Sequence, residues 1–157
     1  MTSDLRDLYQ DVILDHGKKP RNARVIENAS VTQPAYNPLC GDKGTLYLSL
    51  DAGNDRIADA AYVGQGCSIS TASASIMTDF LRGKSRAEAL ATFDRFHDMI
   101  TAPPDEAVHR AVPELGKLSV FSGVAEFPAR VKCATLAWHA LKAALTADAH
   151  AAPVSTE

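Results

Sequence analysis

Three cysteines and one aspartate are the residues of this chain best suited to chemistry. Cys40 and Asp42 sit two apart in NPLCGDKG, residues 37–44, a stretch that Pro38 and Gly41 mark as a turn. Cys67 follows Gly64 and Gly66 where a run of small residues, GCSISTASAS, begins a helix. Cys133 lies about one and a half turns into a helix that Pro128 can start. Helix N-termini favour thiolates through the backbone dipole. A thiolate is both a nucleophile and a zinc ligand, and three thiols with a carboxylate make the four donors that a tetrahedral zinc requires. The spacing alone is a weak signal. Cys40 and Cys67 have 26 residues between them, Cys67 and Cys133 have 65, and no CxxC pair is present, so only the folded chain could gather the set. Two packed cysteines and one exposed one remain an equal alternative by that criterion.

Three thiolates and a carboxylate around a zinc dication carry a local charge of about -2. Arg130 is expected to lie beside the ligands and balance it, whereas Lys43 is expected to be solvated and Lys132 stays open. His16, His97, His109, His139 and His150 have no HxxxH or HxxE pairing and are expected to be surface or packing residues.

The elements that must position these groups follow from periodicity. Leu5, Leu8, Tyr9, Val12 and Ile13 form a helical stripe behind Ser3 that Gly17 and Pro20 stop. A short strand is expected over 31–35, then a hairpin of strands over 45–50 and 56–63 joined by DAGNDR. Ile76, Met77, Phe80 and Leu81 continue the helix behind Cys67 to Gly83. Ser85 and Glu88 form a capping box for the next helix, whose buried face is Ala89, Phe93, Phe96 and Ile100. Pro103 and Pro104 begin a short helix, residues 115–127 read as irregular, and a last helix runs from Pro128 to about Thr146 with Val131, Leu136, Trp138, Leu141 and Leu145 as core. Met77 and Met99 read as gap-fillers. Strands first and helices after them predict an α+β fold, a small antiparallel sheet with helices mainly on one face. One domain over 1–146 and a disordered tail over 147–157 are expected.

Composition excludes several classes. The 157 residues suffice for one core without staples. A net charge of -3, from 16 basic and 19 acidic residues, offers no basic footprint for nucleic acid. The first residues lack the apolar run of a secretory signal, and no stretch has the apolar length of a membrane span, so a cytoplasmic protein with no membrane partner is expected. An odd cysteine count in a reducing compartment argues against a disulfide framework.

From about Leu5 to Leu145 the chain resembles the SufU proteins of the IscU/NifU-like superfamily. The resemblance rests on LDHGKKPRN, NPLCGDKGTLYLSL, GQGCSISTASASIMTDFLRGKS and FPARVKCATLAWHALKAAL taken together. It implies a three-stranded antiparallel sheet with flanking helices, zinc bound by Cys40, Asp42, Cys67 and Cys133, and sulfur accepted on Cys40 from a SufS-type cysteine desulfurase. It further implies that a histidine of the desulfurase replaces Cys40 on zinc, and that sulfur then passes to iron-sulfur cluster assembly. Lys132 stands where IscU-type scaffolds carry a histidine, and the stretch between the second and third cysteines is longer, with the extra residues around 95–122. Both features resemble SufU. Gly44 departs from the bulkier residue usual in the family and is expected to loosen the cysteine loop. Two alternatives stay open: a scaffold that assembles a [2Fe-2S] cluster on the same four residues, and a binding module with a purely structural zinc.

Overall fold

The computed structural model describes residues 3–38, 41–51, 53, 55–107, 113–146 and 154–155, with backbone alone for 3–9, 104, 113–114, 146 and 154–155. Helix α1 (Ser3–Lys18) precedes a sheet of β1 (Val31–Asn37), β2 (Asp42–Leu50) and β3 (Ile57–Gln65). Helices α2 (Ser68–Leu81), α3 (Arg86–Thr101) and the four-residue α4 (Pro104–Ala107) follow, then a 3₁₀ segment (Pro113–Glu126) and α5 (Pro128–Thr146). The three strands are antiparallel in the order β3-β2-β1. Of the stretch 147–157, only Val154 and Ser155 are described. Their backbone forms β4, parallel to β1 opposite Ala35 and Tyr36.

Alternation along the strands decides which face is covered. Leu46 and Leu48 on β2, Ala60 on β3 and Ala35 on β1 are buried, and α2 packs on β3 while α5 packs on β1 and β2. Residues of opposite parity, Lys43 and Val63 among them, face outward. The expected α+β arrangement with helices on one face is therefore observed. The strands reach further than periodicity suggested: β2 begins at Asp42 rather than 45, and β3 runs on to Gln65. The Gly41 N–H donates to the Asn37 carbonyl at 2.8 Å. Asn37 and Asp42 already pair across the ladder.

Helix α2 is lined with small residues because it lies close against α5. The Ser73 hydroxyl donates to the Ala134 carbonyl at 2.5 Å and accepts from the Trp138 indole N–H at 3.1 Å. Trp138 stacks on Phe96 at 4.8 Å, and Phe96 meets Phe121 edge-on at 5.8 Å. Met77 and Met99 are fully buried. The capping box of α3 forms as expected: Glu88 N–H donates to the Ser85 hydroxyl, and Ser85 N–H to the Glu88 carboxylate. Val12 and Ile13 of α1 pack against the core.

The stretch read as irregular is ordered and buried. Leu115, Leu118, Phe121 and Val124 recur every three residues and are all buried. Three residues per turn is the 3₁₀ repeat, which stacks Leu118, Phe121 and Val124 on one face, and the segment packs against α3. Gly116 interrupts the segment with a positive φ of 53°.

Candidate metal centre

The sheet and two helices converge on three of the four expected donors. Asp42, Cys67 and Cys133 each offer a donor atom, and these atoms all lie within 4.8 Å of one another. The fourth candidate, Cys40, lies outside the described residues.

Asp42 is the first residue of β2 and is buried. The chain can bend into it because Gly41 has φ +75°, a left-handed conformation that costs a residue with a Cβ about 1 kcal/mol or more. Cys67 is the N-cap of α2, its extended backbone (φ -70°, ψ 170°) placing the thiol over the first turn. Its sulfur accepts from the Ser70 N–H at 3.5 Å, the stabilisation that a helix N-terminus offers a thiolate. Cys133 is buried on α5, with its sulfur 3.8 Å from the Ala129 carbonyl.

Asp42 and Cys67 are tied together. The Cys67 N–H donates to Asp42 Oδ1 at 3.1 Å, and Asp42 Oδ2 lies 3.9 Å from Cys67 Sγ. This approach requires Gly66. A Cβ there would fall 2.5 Å from Asp42 Oδ1 and 2.8 Å from Cγ. Sequence reasoning noted Gly66 only as a neighbour of Cys67; a glycine immediately before a cysteine N-cap was the available signal.

The Arg130 guanidinium lies against both sulfurs. A hydrogen bond to Cys133 and the negative charges of Cys67 and Cys133 hold its pKa above an already high value. Lys43 is exposed and Lys132 half-buried. Gly44 does not loosen a loop. It lies within β2, and the space its side chain would fill is taken by the ring of Tyr62, whose Cζ and Oη would be 2.4 Å from a Cβ at position 44. Burial, reinforced by the Asp42 charge, pushes the Tyr62 phenol up and keeps it protonated.

Among the described residues, no histidine joins this cluster. His16 is buried, with Nδ1 2.7 Å from the Ser75 hydroxyl. His97 and His139 pack on Phe93. His109 and His150 lie outside the described residues. No helix among the described residues is long and apolar enough to cross a membrane.

Donors of this kind, sulfur and carboxylate together, suit zinc or iron. Comparison with known proteins agrees with a role in iron-sulfur cluster assembly. Over 149 residues the chain is 44% identical to a Streptococcus pyogenes protein named iron-sulfur cluster assembly scaffold protein IscU, covering 95% of this chain and 89% of that one. Over 141 residues it is 43% identical to a Bacillus subtilis protein named zinc-dependent sulfurtransferase SufU, covering 89% and 90%. A crystal structure from Fervidobacterium islandicum, titled as an iron-sulfur cluster assembly scaffold of the SUF system, superposes with a TM-score of 0.78 at 34% identity, covering 90% of this chain and 98% of that one. Residues 8–134 match the family model described as the NifU-like N terminal domain. The chain therefore belongs to the NifU-like N-terminal domain family, the IscU/SufU group of iron-sulfur cluster assembly proteins.

Proposed function

We propose that this chain is a zinc-dependent sulfurtransferase, taking persulfide sulfur on Cys40 from a SufS-type cysteine desulfurase and delivering it to a downstream iron-sulfur assembly scaffold. The observation that carries this reading is the convergence of Asp42, Cys67 and Cys133 within 4.8 Å. Zinc bonds of ~2.0–2.3 Å set tetrahedral donors roughly 3.5–3.8 Å apart, within small side-chain rotations of this arrangement. Cys40, two residues before Asp42 in the chain, is the remaining thiol. Lys132 preceding Cys133, where IscU-type scaffolds carry histidine, supports the transferase over the scaffold.

Zinc bound there would keep Cys40 as a thiolate at neutral pH. With Asp42, Cys67 and Cys133 holding the metal, the Cys40 thiolate would attack the outer sulfur of the partner's persulfide. A sulfur–sulfur bond forms on Cys40, the partner's sulfur–sulfur bond breaks, and the partner's cysteine departs as a thiolate. Asp42, Cys67 and Cys133 remain in place. Asp42 is kept from swinging by the Cys67 N–H, and Arg130 offsets the negative charge of the two sulfurs it touches.

Cys40→Ala should abolish stimulation of the desulfurase while the protein still folds; full stimulation by that variant would rule Cys40 out as acceptor. The second reading, assembly of a [2Fe-2S] cluster on the same residues, is favoured by the scaffold name of the Streptococcus pyogenes relative. Metal content and a visible spectrum of the purified protein separate the two. Zinc without absorption above the aromatic band supports the transferase, and iron with sulfide and visible bands supports the scaffold.

A further inference from the structure

The inner face of the sheet beside Asp42 is built without side chains of its own. Gly44 follows Asp42 by two residues on β2 and so shares its face. Gly64 is its cross-strand partner on β3, and a Cβ there would stand 2.4 Å from the Lys43 carbonyl oxygen. Two facing glycines normally weaken a sheet and leave a gap. Here the gap is filled by Tyr62. It pairs with Leu46 and reaches diagonally to lie over Gly44, with the phenol oxygen at the position a side chain on residue 44 would occupy. Diagonal contacts of this reach are open to aromatic side chains. The ring also contacts Gly64, since a Cβ on that residue would be 3.0 Å from Tyr62 Cε1. Together with Ser70 and Ala74 of α2 and Arg21 of the connector after α1, Tyr62 lines a small cavity of about 40 Å³.

We propose that Tyr62 is a positioning residue of the metal centre, its ring seated over Gly44 as the wall that keeps the Asp42 carboxylate turned toward Cys67. The inference rests on the metal-centre part of the reading above and extends it. Asp42 has two rotatable bonds, and both of its carboxylate contacts, the Cys67 N–H and the more distant Cys67 Sγ, lie on the side of α2. Gly66 leaves the carboxylate room on one side. The Tyr62 ring occupies the next position of the same face on the same strand, over Gly44. A ligand held this way stays in place while a thiol ligand exchanges. Gly44 is thereby explained as one half of a pair: the residue with no side chain admits the ring that replaces it.

Cobalt(II)- and zinc-loaded forms of the full chain test the assignment. Tyr62→Leu and Gly44→Ala should each shift the cobalt ligand-field band and release zinc to a chromophoric chelator about tenfold faster. Tyr62→Phe, which keeps the ring, should rescue both readouts. In the double variant the added methyl meets no ring, so the two effects should fail to add. Gly44→Ala adds a single methyl and decides the matter where Tyr62→Leu does not fold. A wild-type band and release rate in these variants, with only the melting temperature lowered, would overturn the assignment. None of these readouts uses the desulfurase, so a wild type that binds cobalt but fails to stimulate a desulfurase refutes sulfur transfer alone. A wild type that takes up neither metal refutes the centre and this role with it.

Discussion

Where α3, α5 and the 3₁₀ segment meet, the chain is held by side-chain volume. Trp138, Phe96, Phe121, Leu115 and Leu118 are fully buried, and the rings stack or meet edge-on. Around Asp42 and Cys67 the chain is held by the opposite means. Gly44 and Gly66 withhold side chains so that a phenol and a carboxylate can approach the backbone, Gly64 lets β3 lie close to β2, and Gly41 takes a left-handed turn. Removing atoms should damage the first region, and adding atoms should damage the second.

The largest effect is expected from Trp138→Ala. It leaves a cavity among fully buried neighbours and orphans part of the Ser73 hydrogen bonding. A loss of about 3–5 kcal/mol in denaturant unfolding is expected, with the cobalt band of the folded fraction unchanged. Gly66→Ala should do the reverse. The new methyl meets the far end of the Asp42 side chain, so metal affinity should fall about 10–100-fold, while unfolding changes by roughly 1 kcal/mol or less. Competition with a chelator and a denaturant titration of the metal-free protein measure the two quantities separately.

The smallest effect concerns His16, which links α1 to α2 through Ser75. Burial, then the Arg21 and Lys117 charges, hold its pKa below the ordinary value. The unfolded chain therefore binds a proton that the folded chain does not. Stability should be complete above about pH 6.5 and decline as pH falls from there through the folded pKa. Unfolding midpoints at about pH 7.5 and 5.5 should differ less in His16→Gln than in the wild type. His139, whose pKa is also lowered by burial, keeps part of the slope.

Much of this was legible from local pattern. The Leu46 and Leu48 alternation, the Ser85–Glu88 capping box and the small-residue run behind Cys67 each depend on neighbours within a few residues, and each formed as read. The 3₁₀ segment was misread because its period of three matches neither the helical nor the strand template, and its Gly and Ser residues resemble loop punctuation. The start of β2 was misplaced because Asp42 and Lys43 already pair with β1 although NPLCGDKG carries breakers throughout. Gly44 was misjudged for a different reason: what fills the space above a glycine is decided by a residue on another strand.

Residue types alone established that this chain carries soft donors beside a carboxylate, each at a junction between elements, because capping and turn preferences are local and survive in any fold. Only tertiary structure decided that Asp42, Cys67 and Cys133 share one place, that Arg130 lies against two sulfurs, and that Gly66 and Gly44 clear the way for a carboxylate and a ring. The three donors lie 25 to 91 positions apart in the chain. They exist because the packing of α2 and α5 on one face of the sheet brings the helix starts to the end of the strands where β2 begins.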